Sequence, residues 1–449
     1  MSQIATYPIK PPDRSTITAN GRSPRGHRHR RVEPWYLTYT LLGAAMGGMV
    51  PLLVPLLILQ KLGSPVHVGL VIAAYNLGGL AAPVWGHLAD RFLIHRSLLA
   101  ISLLLTAAGL AIFACAKCLP MFLGLALLQG VGTVGAMTLG NLFIVEAHPP
   151  AEWEARIGWY QTFNCSGQAG GMLLAAILSP MALEDSLLVA SGLIGLAVLI
   201  GIAAPAVRPS ATRAASRGYP PIGHFYWGRW WPKRWLHSLR SCMPFQPLSP
   251  ASKSFRGLIG VWFLGLTGAS ILFTLYPLML PELYGIMPGR LALTFAAAMG
   301  LGVFIYPQAG RLSQHFGAAR LYTFFLSLRL IAFIAVAAAV CGDTGGRDWF
   351  ILLAYAAVVL CWPFLSVSGT ALAAALAPPR EGERMGLFNA TGALALAAGP
   401  TLGCWLADVW GYPSACLAAV STEILGVCLV SRIRRHLGWC GAAKPCRAC

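Results

Sequence analysis

Long apolar runs dominate the chain, interrupted at intervals by short polar or charged stretches. Twelve runs stand out, at 36–59, 66–88, 97–116, 119–145, 156–179, 186–205, 256–280, 290–310, 321–341, 349–373, 384–407 and 412–432. Each is close to the roughly 20 residues that an α-helix needs to cross a hydrocarbon layer of about 30 Å. The runs lack the period-two alternation of a membrane barrel, and a helix satisfies its own backbone polar groups away from water. The pattern therefore predicts an all-α polytopic membrane protein with twelve transmembrane helices.

Composition excludes the soluble alternative. Of 449 residues, 57% are hydrophobic and only 11% charged, with a mean hydropathy of +0.65; soluble domains carry about 25% charge. The net charge of +18 would suit nucleic acid, but its distribution points to the membrane. With both ends placed inside, all but five of the 33 Lys and Arg fall on the cytoplasmic side. The exceptions are Lys61, Lys117, Arg290 and Arg347 outside, and Arg329 within a run. That asymmetry is the positive-inside rule and predicts cytoplasmic termini. A basic inner face against anionic lipid accounts for the charge without nucleic acid.

Residues 1–35 are polar and basic, show no cleavable signal, and are expected to form a disordered cytoplasmic tail. Nine of the twelve cysteines lie in or beside the apolar runs or in the central loop, where they act as small apolar residues. Cys440, Cys446 and Cys449 fall in the 433–449 tail and are weak metal candidates, because a second well-spaced pair is missing. No metal or other cofactor is expected.

Residues 206–255, rich in Arg, Pro, Ser and Trp, separate an N-terminal set of six helices (36–205) from a C-terminal set (256–432). Within this linker Phe225, Trp227, Trp231 and Trp235 interleave with Arg229, Lys233, Arg234 and Arg240, as suits a segment lying against lipid headgroups. The two halves repeat each other. Pro51 and Pro55 recur as Pro277 and Pro281, offset by 226. Gly86, Leu88, Phe92 and Arg96 recur as Gly310, Leu312, Phe316 and Arg320, offset by 224. Arg156, Gly158, Tyr160 and Gln161 correspond to Arg384, Gly386, Phe388 and Asn389, offset by 228. Independent landmarks that agree on one period mark a duplication. Two copies with the same topology predict two six-helix pseudo-symmetric bundles enclosing a cavity at their interface.

On these features the sequence resembles the major facilitator superfamily across residues 36–432. The loop after the second helix carries the first half of the family motif as Gly86, Leu88, Ala89, Asp90 and Arg91; Leu93 and Ile94 depart from its second half. The fourth helix resembles a drug/proton antiporter motif at Gln129, Gly130 and Gly132, but Ala126 replaces its arginine. Gly399, Pro400 and Gly403 resemble the antiporter glycine-proline motif, which the fifth helix carries only in degraded form.

The resemblance implies a secondary active transporter working by alternating access, with proton-coupled efflux of a small neutral or amphiphilic organic molecule as the leading expectation. A proton-coupled importer or a uniporter is the alternative, and a transport-dead sensor or a membrane-embedded enzyme lies further off. No P-loop is present and only six lysines occur, which excludes internal ATP hydrolysis by that route. The expected partners are a small-molecule substrate, membrane lipid and, as candidate coupling ions, protons. The expected form is a monomer in the cell's inner (plasma) membrane.

Polar and aromatic residues at mid-depth are the cavity candidates: Asn76, Gln129, Asn164 and Gln168 in the first half; Tyr276, Tyr306, Gln308, Trp362 and Asn389 in the second. The family's cavity-lining helices raise Gln129 and Trp362 above the rest. Gly86, which would let the second helix approach a neighbour closely, joins Asp90, Arg91, Gly310 and Arg311 as a conformational latch. Pro51, Pro55, Pro277 and Pro281 weaken two helices and form a candidate gate. Arg329 and Glu423 lie at matching depths, each nine residues from the basic end of its run, and are expected to pair or to form a proton site.

Overall fold

A computed structural model of the chain describes residues 33–92, 94–147, 150–203, 253–342, 348–376 and 381–437. The tail through residue 32, most of the central linker, and Cys440, Cys446 and Cys449 lie outside the described residues.

Helix α1 runs over Tyr36–Leu62. α2 opens as Pro65–Gly78, tightens through a 3₁₀ turn at Gly79–Ala81 and continues over Ala82–Phe92. Then follow α3 (His95–Ala114), α4 (Leu119–Ala147), α5 (Pro150–Ile177) and α6 (Leu183–Ala203). The second half holds α7 (Lys253–Tyr284), α8 (Pro288–Phe316), α9 (Ala318–Cys341), α10 (Asp348–Ala375), α11 (Glu381–Trp410) and α12 (Tyr412–Leu437).

Among the described residues, eleven helices are long and apolar enough to cross a membrane. Of the twelve expected, α5 is not among them. Its first turns carry Glu152, Glu154 and Arg156, and its middle carries Asn164, Ser166 and Gln168, so no stretch of it reaches the hydropathy of its neighbours.

The packing repeats as the sequence does. In the first half α1 packs on α5 and α6, α2 on α4, and α3 on α4 and α6. In the second half α7 packs on α11 and α12, α8 on α10, and α9 on α10 and α12. The agreement extends to single residues. A side chain at Gly171 of α5 would collide with the Ala44 carbonyl of α1, and one at Gly399 of α11 with Ser270 of α7. These two contacts are related by the repeat offset, and small residues at both let helices pack at close range without a hydrophobic driving force.

α1 is not uniform. Gly43–Met49 forms a π-helical segment directly before Pro51. A proline ring clashes with the carbonyl four residues earlier, here that of Gly47, and the wider π turn relieves that clash. α7 carries Pro277 and Pro281 within one continuous α-helix.

The halves meet through α2 against α11 and α5 against α8, with a smaller contact between α1 and α7. Along α2 the contacts begin at one end, where the Ser64 hydroxyl donates to Asp408 at 3.1 Å. They continue where Gly69 lies against the Pro400 carbonyl and where the Asn76 amide donates to the Leu396 carbonyl at 3.1 Å. Gly79, beside Ala393, is the last of them along the glycines of α2. At this closed end one apolar core joins both halves, including Leu53 and Leu57 of α1 with Leu275 and Met279 of α7. Toward the other end a separate core, with Trp262, Leu326 and Val430, belongs to the second half alone. Gly86 and Gly310, one in each half near that end, have no atom within 4 Å of where a Cβ would stand.

Candidate substrate cavity

Near the middle of the interface α5, α8 and α10 bring four side chains together. Tyr306 of α8 faces the Trp362 indole and the Ser366 hydroxyl of α10, with the Cys165 thiol of α5 opposite. Trp362 is half-buried and ends a ring stack. Its indole lies 6.0 Å from that of Trp262 at an interplanar angle of 29°, and Trp262 lies 4.4 Å from Phe388 at 25°. The stack forms because α7 and α11 approach closely: Gly392 leaves room for Trp262, as Gly369 does on α10. Among the described residues the deep charged groups are Arg329 and Glu423, and they neutralise each other.

Several sequence-selected residues stand elsewhere. Gln129 is buried at 2% exposure with its side chain against Gly109 of α3, inside the first half. Its neighbours Gly130 and Gly132 seat α4 between the backbone of α2 at Tyr75 and that of α3 at Ser102. The antiporter-like pattern is thus accounted for by close helix packing. Tyr276 is wholly buried in a cluster with Tyr355 and Phe295, ring centroids 3.4 and 4.8 Å away, and packs the closed end instead of lining an open cavity. Asn76 holds α2 to α11 by its hydrogen bonds to the Ile72 and Leu396 carbonyls. Gln168 donates to Asn164 at 2.7 Å and fills the space left by Gly47 of the π segment. Asn164 in turn reaches Met137 of α4, which also accepts from the Tyr160 hydroxyl at 3.1 Å. Gln308 is exposed on α8, one turn from exposed Arg311.

The latch residues are partly visible. No atom lies within 4 Å of where a Cβ at Gly86 would stand. The side chains of Asp90 and Arg91 lie outside the described residues.

Arg329 and Glu423 meet. The guanidinium donates from Nε and Nη2 to the two carboxylate oxygens at 2.8 and 3.0 Å, and Nη2 also donates to the Gly265 carbonyl of α7 at 3.1 Å. A side chain at Gly265 would strike the guanidinium, so this glycine makes the recess that holds the pair. Phe333 covers the guanidinium from 5.5 Å.

Sequence reasoning passed over Cys165, Ser366 and Trp262. Their only signal was position near mid-helix, and small or aromatic residues there are usually core.

Two helical bundles that repeat each other's packing and meet through α2 with α11 and α5 with α8 have the architecture of a membrane transporter. Residues 35–364 and 257–439 match the model of the Major Facilitator Superfamily, and the chain belongs to that family. No curated protein matches the chain. Its fold is similar to that of the nucleoside transporter NupG, at 11% identity and TM-score 0.65, over 90% of this chain and 98% of that one. It is similar to an inward-facing, unoccupied bacterial homolog of the human lysosomal transporter Spinster, at 16% identity and TM-score 0.64, over 90% and 96%. It is also similar to the human organic anion transporter MFSD10 (TETRAN), at 21% identity and TM-score 0.59, over 89% and 99%.

Proposed function

We propose that the protein is a secondary active transporter that carries a small neutral or amphiphilic organic molecule across the plasma membrane by alternating access. The observation that carries this reading is the meeting of Tyr306, Trp362 and Cys165 between two halves that pack together through α2 with α11 and α5 with α8. α5 serves as the twelfth crossing: it packs along α1 on one side and α8 on the other, and its amides are satisfied there. In this reading both termini lie in the cytoplasm, which the charge asymmetry supports. The chain divides at 206–255, whose aromatic-basic segment lies outside the described residues, and the unit is a monomer.

Proton-coupled efflux is the direction we favour, from the loose likeness to drug/proton antiporters; import or uniport is the alternative. In this reading Asp90 and Arg91, with Gly86, Gly310 and Arg311, latch the cytoplasmic end when it closes, through charge pairing at helix ends. Asp90→Asn is then expected to depress transport while folded protein stays in the membrane, and unchanged transport would remove the latch.

The test is solute counterflow in proteoliposomes carrying a pH-sensitive dye. Nucleosides and organic anions form the first arms, since structurally similar proteins are described as transporting them, followed by neutral amphiphiles. The proposal expects saturable exchange of at least one neutral solute with a matching pH change inside. Exchange without a pH change would leave uniport, and no exchange of any solute would contradict transport.

A further inference from the structure

Three aromatic rings, Phe388, Trp262 and Trp362, lie nearly parallel and lead from the core of the second half to the interface between the halves. The inner two are buried and Trp362 is half-buried, so the stack ends on a partly exposed ring. Around that end stand neutral groups: the Tyr306 and Ser366 hydroxyls and the Cys165 thiol. The deep charged pair contacts the backbone of α7 at Gly265, and both members are almost completely buried, so neither offers a charge to the pocket.

A flat π surface prefers parallel offset partners, and it rewards a rigid planar ligand because little conformational freedom is lost. A site with one ring wall, two hydroxyls and, among the described residues, no free charge discriminates against ions, which it would desolvate without compensation. It also favours rings over flexible chains.

Resting on the transporter reading above, we propose that the substrate is an uncharged molecule built on a planar aromatic or heteroaromatic ring system. It stacks on Trp362 as the next member of the Phe388–Trp262–Trp362 series. Tyr306 and Ser366 hydrogen-bond its polar edge, and Cys165 lies beside it from the opposite half.

The test uses the full-length purified protein with riboflavin and adenosine as planar neutral probes, and glucose and n-octanol as neutral probes without rings. Two readouts are independent of transport: quenching of tryptophan fluorescence, and protection of Cys165 from N-ethylmaleimide followed by peptide mass spectrometry. Exposed Cys115 provides the reference. At least one planar probe should bind and shield Cys165 but not Cys115, while glucose and n-octanol do neither. Trp362→Ala should weaken binding about tenfold or more, and Trp362→Phe should restore most of it. Binding unaffected by Trp362→Ala, protection by the ringless probes, or no protection by either planar probe would overturn the assignment. Counterflow of a ringless solute with Trp362→Ala unimpaired would sink this substrate class and leave transport standing. A planar probe that binds and shields Cys165, while no solute exchanges, would keep the site and sink the transporter reading.

Discussion

Arg329 of α9 grips both carboxylate oxygens of Glu423 of α12, and the Gly265 carbonyl of α7 takes a further hydrogen bond from the same guanidinium. Removing one partner strands a buried charge, a loss typically of about 3–5 kcal/mol. Arg329→Gln and Glu423→Arg are each expected to lower the unfolding temperature of detergent-purified protein and its membrane yield. The exchange Arg329→Glu with Glu423→Arg should recover much of both, as measured by thermal unfolding. A normal yield and unfolding temperature in Glu423→Gln, with loss only of the response to a pH gradient, would instead make Glu423 a proton carrier.

Gly171 and Gly399 occupy equivalent contacts in the two halves, each against the backbone or a short side chain of the helix facing it. Overpacking a tight contact commonly costs about 1–3 kcal/mol. Gly171→Val and Gly399→Val should therefore destabilise the protein to similar extents. A large effect at one and none at the other, read by thermal unfolding, would break the equivalence of the repeats.

Gln129 is buried and its amide nitrogen has no hydrogen-bond partner among the described residues. An unsatisfied buried polar group costs about 1–3 kcal/mol, so an apolar residue of similar size is favoured there. Gln129→Met is expected to leave ligand binding unchanged and to hold or raise the unfolding temperature. Lost binding in a stably folded Gln129→Met would restore Gln129 to the cavity.

Pro51 follows a π-helical segment in α1, and Pro277 lies inside a continuous α7. If both loosen the closed end for opening, Pro51→Ala with Pro277→Ala should depress turnover several-fold while ligand affinity changes little. The proline and π distortion are coupled in α1, so Pro51→Ala should have the larger effect alone. Equal loss of turnover and affinity, in counterflow and equilibrium binding, would count against a gate.

Much of this was legible in the chain because a membrane makes burial and length obligatory. The helix positions follow from apolar runs, and the pairing of Arg329 with Glu423 follows from the cost of a lone charge in hydrocarbon. The repeat was legible from prolines and loop residues that apolar composition alone would not preserve. Helix faces were not. The uniformly apolar helices carry little amphipathic signal, so nothing along α4 says that Gln129 turns toward Gly109 of α3; that depends on a glycine in another helix. α5 was counted as an ordinary span because its polar residues are spaced along it, although it is less apolar than its neighbours. The Cys165, Tyr306 and Trp362 meeting was illegible for the same reason: it is set by three helices from both halves.

The central claim is that the two halves rock about the mid-depth pocket, and inter-helix distances test it most directly. Spin labels replace Met181 and Met287, both exposed and flanking the closed ends of α5 and α8, and in a second sample replace exposed Trp159 and His315 toward the opposite end. Native cysteines are replaced beforehand, and pulsed electron–electron resonance is read in lipid nanodiscs across pH values and with bound probes. The account predicts two populations in each sample, with the Met181–Met287 distance lengthening under the conditions in which the Trp159–His315 distance shortens. A single unchanging distance at both ends, or both distances moving in the same direction, would contradict it.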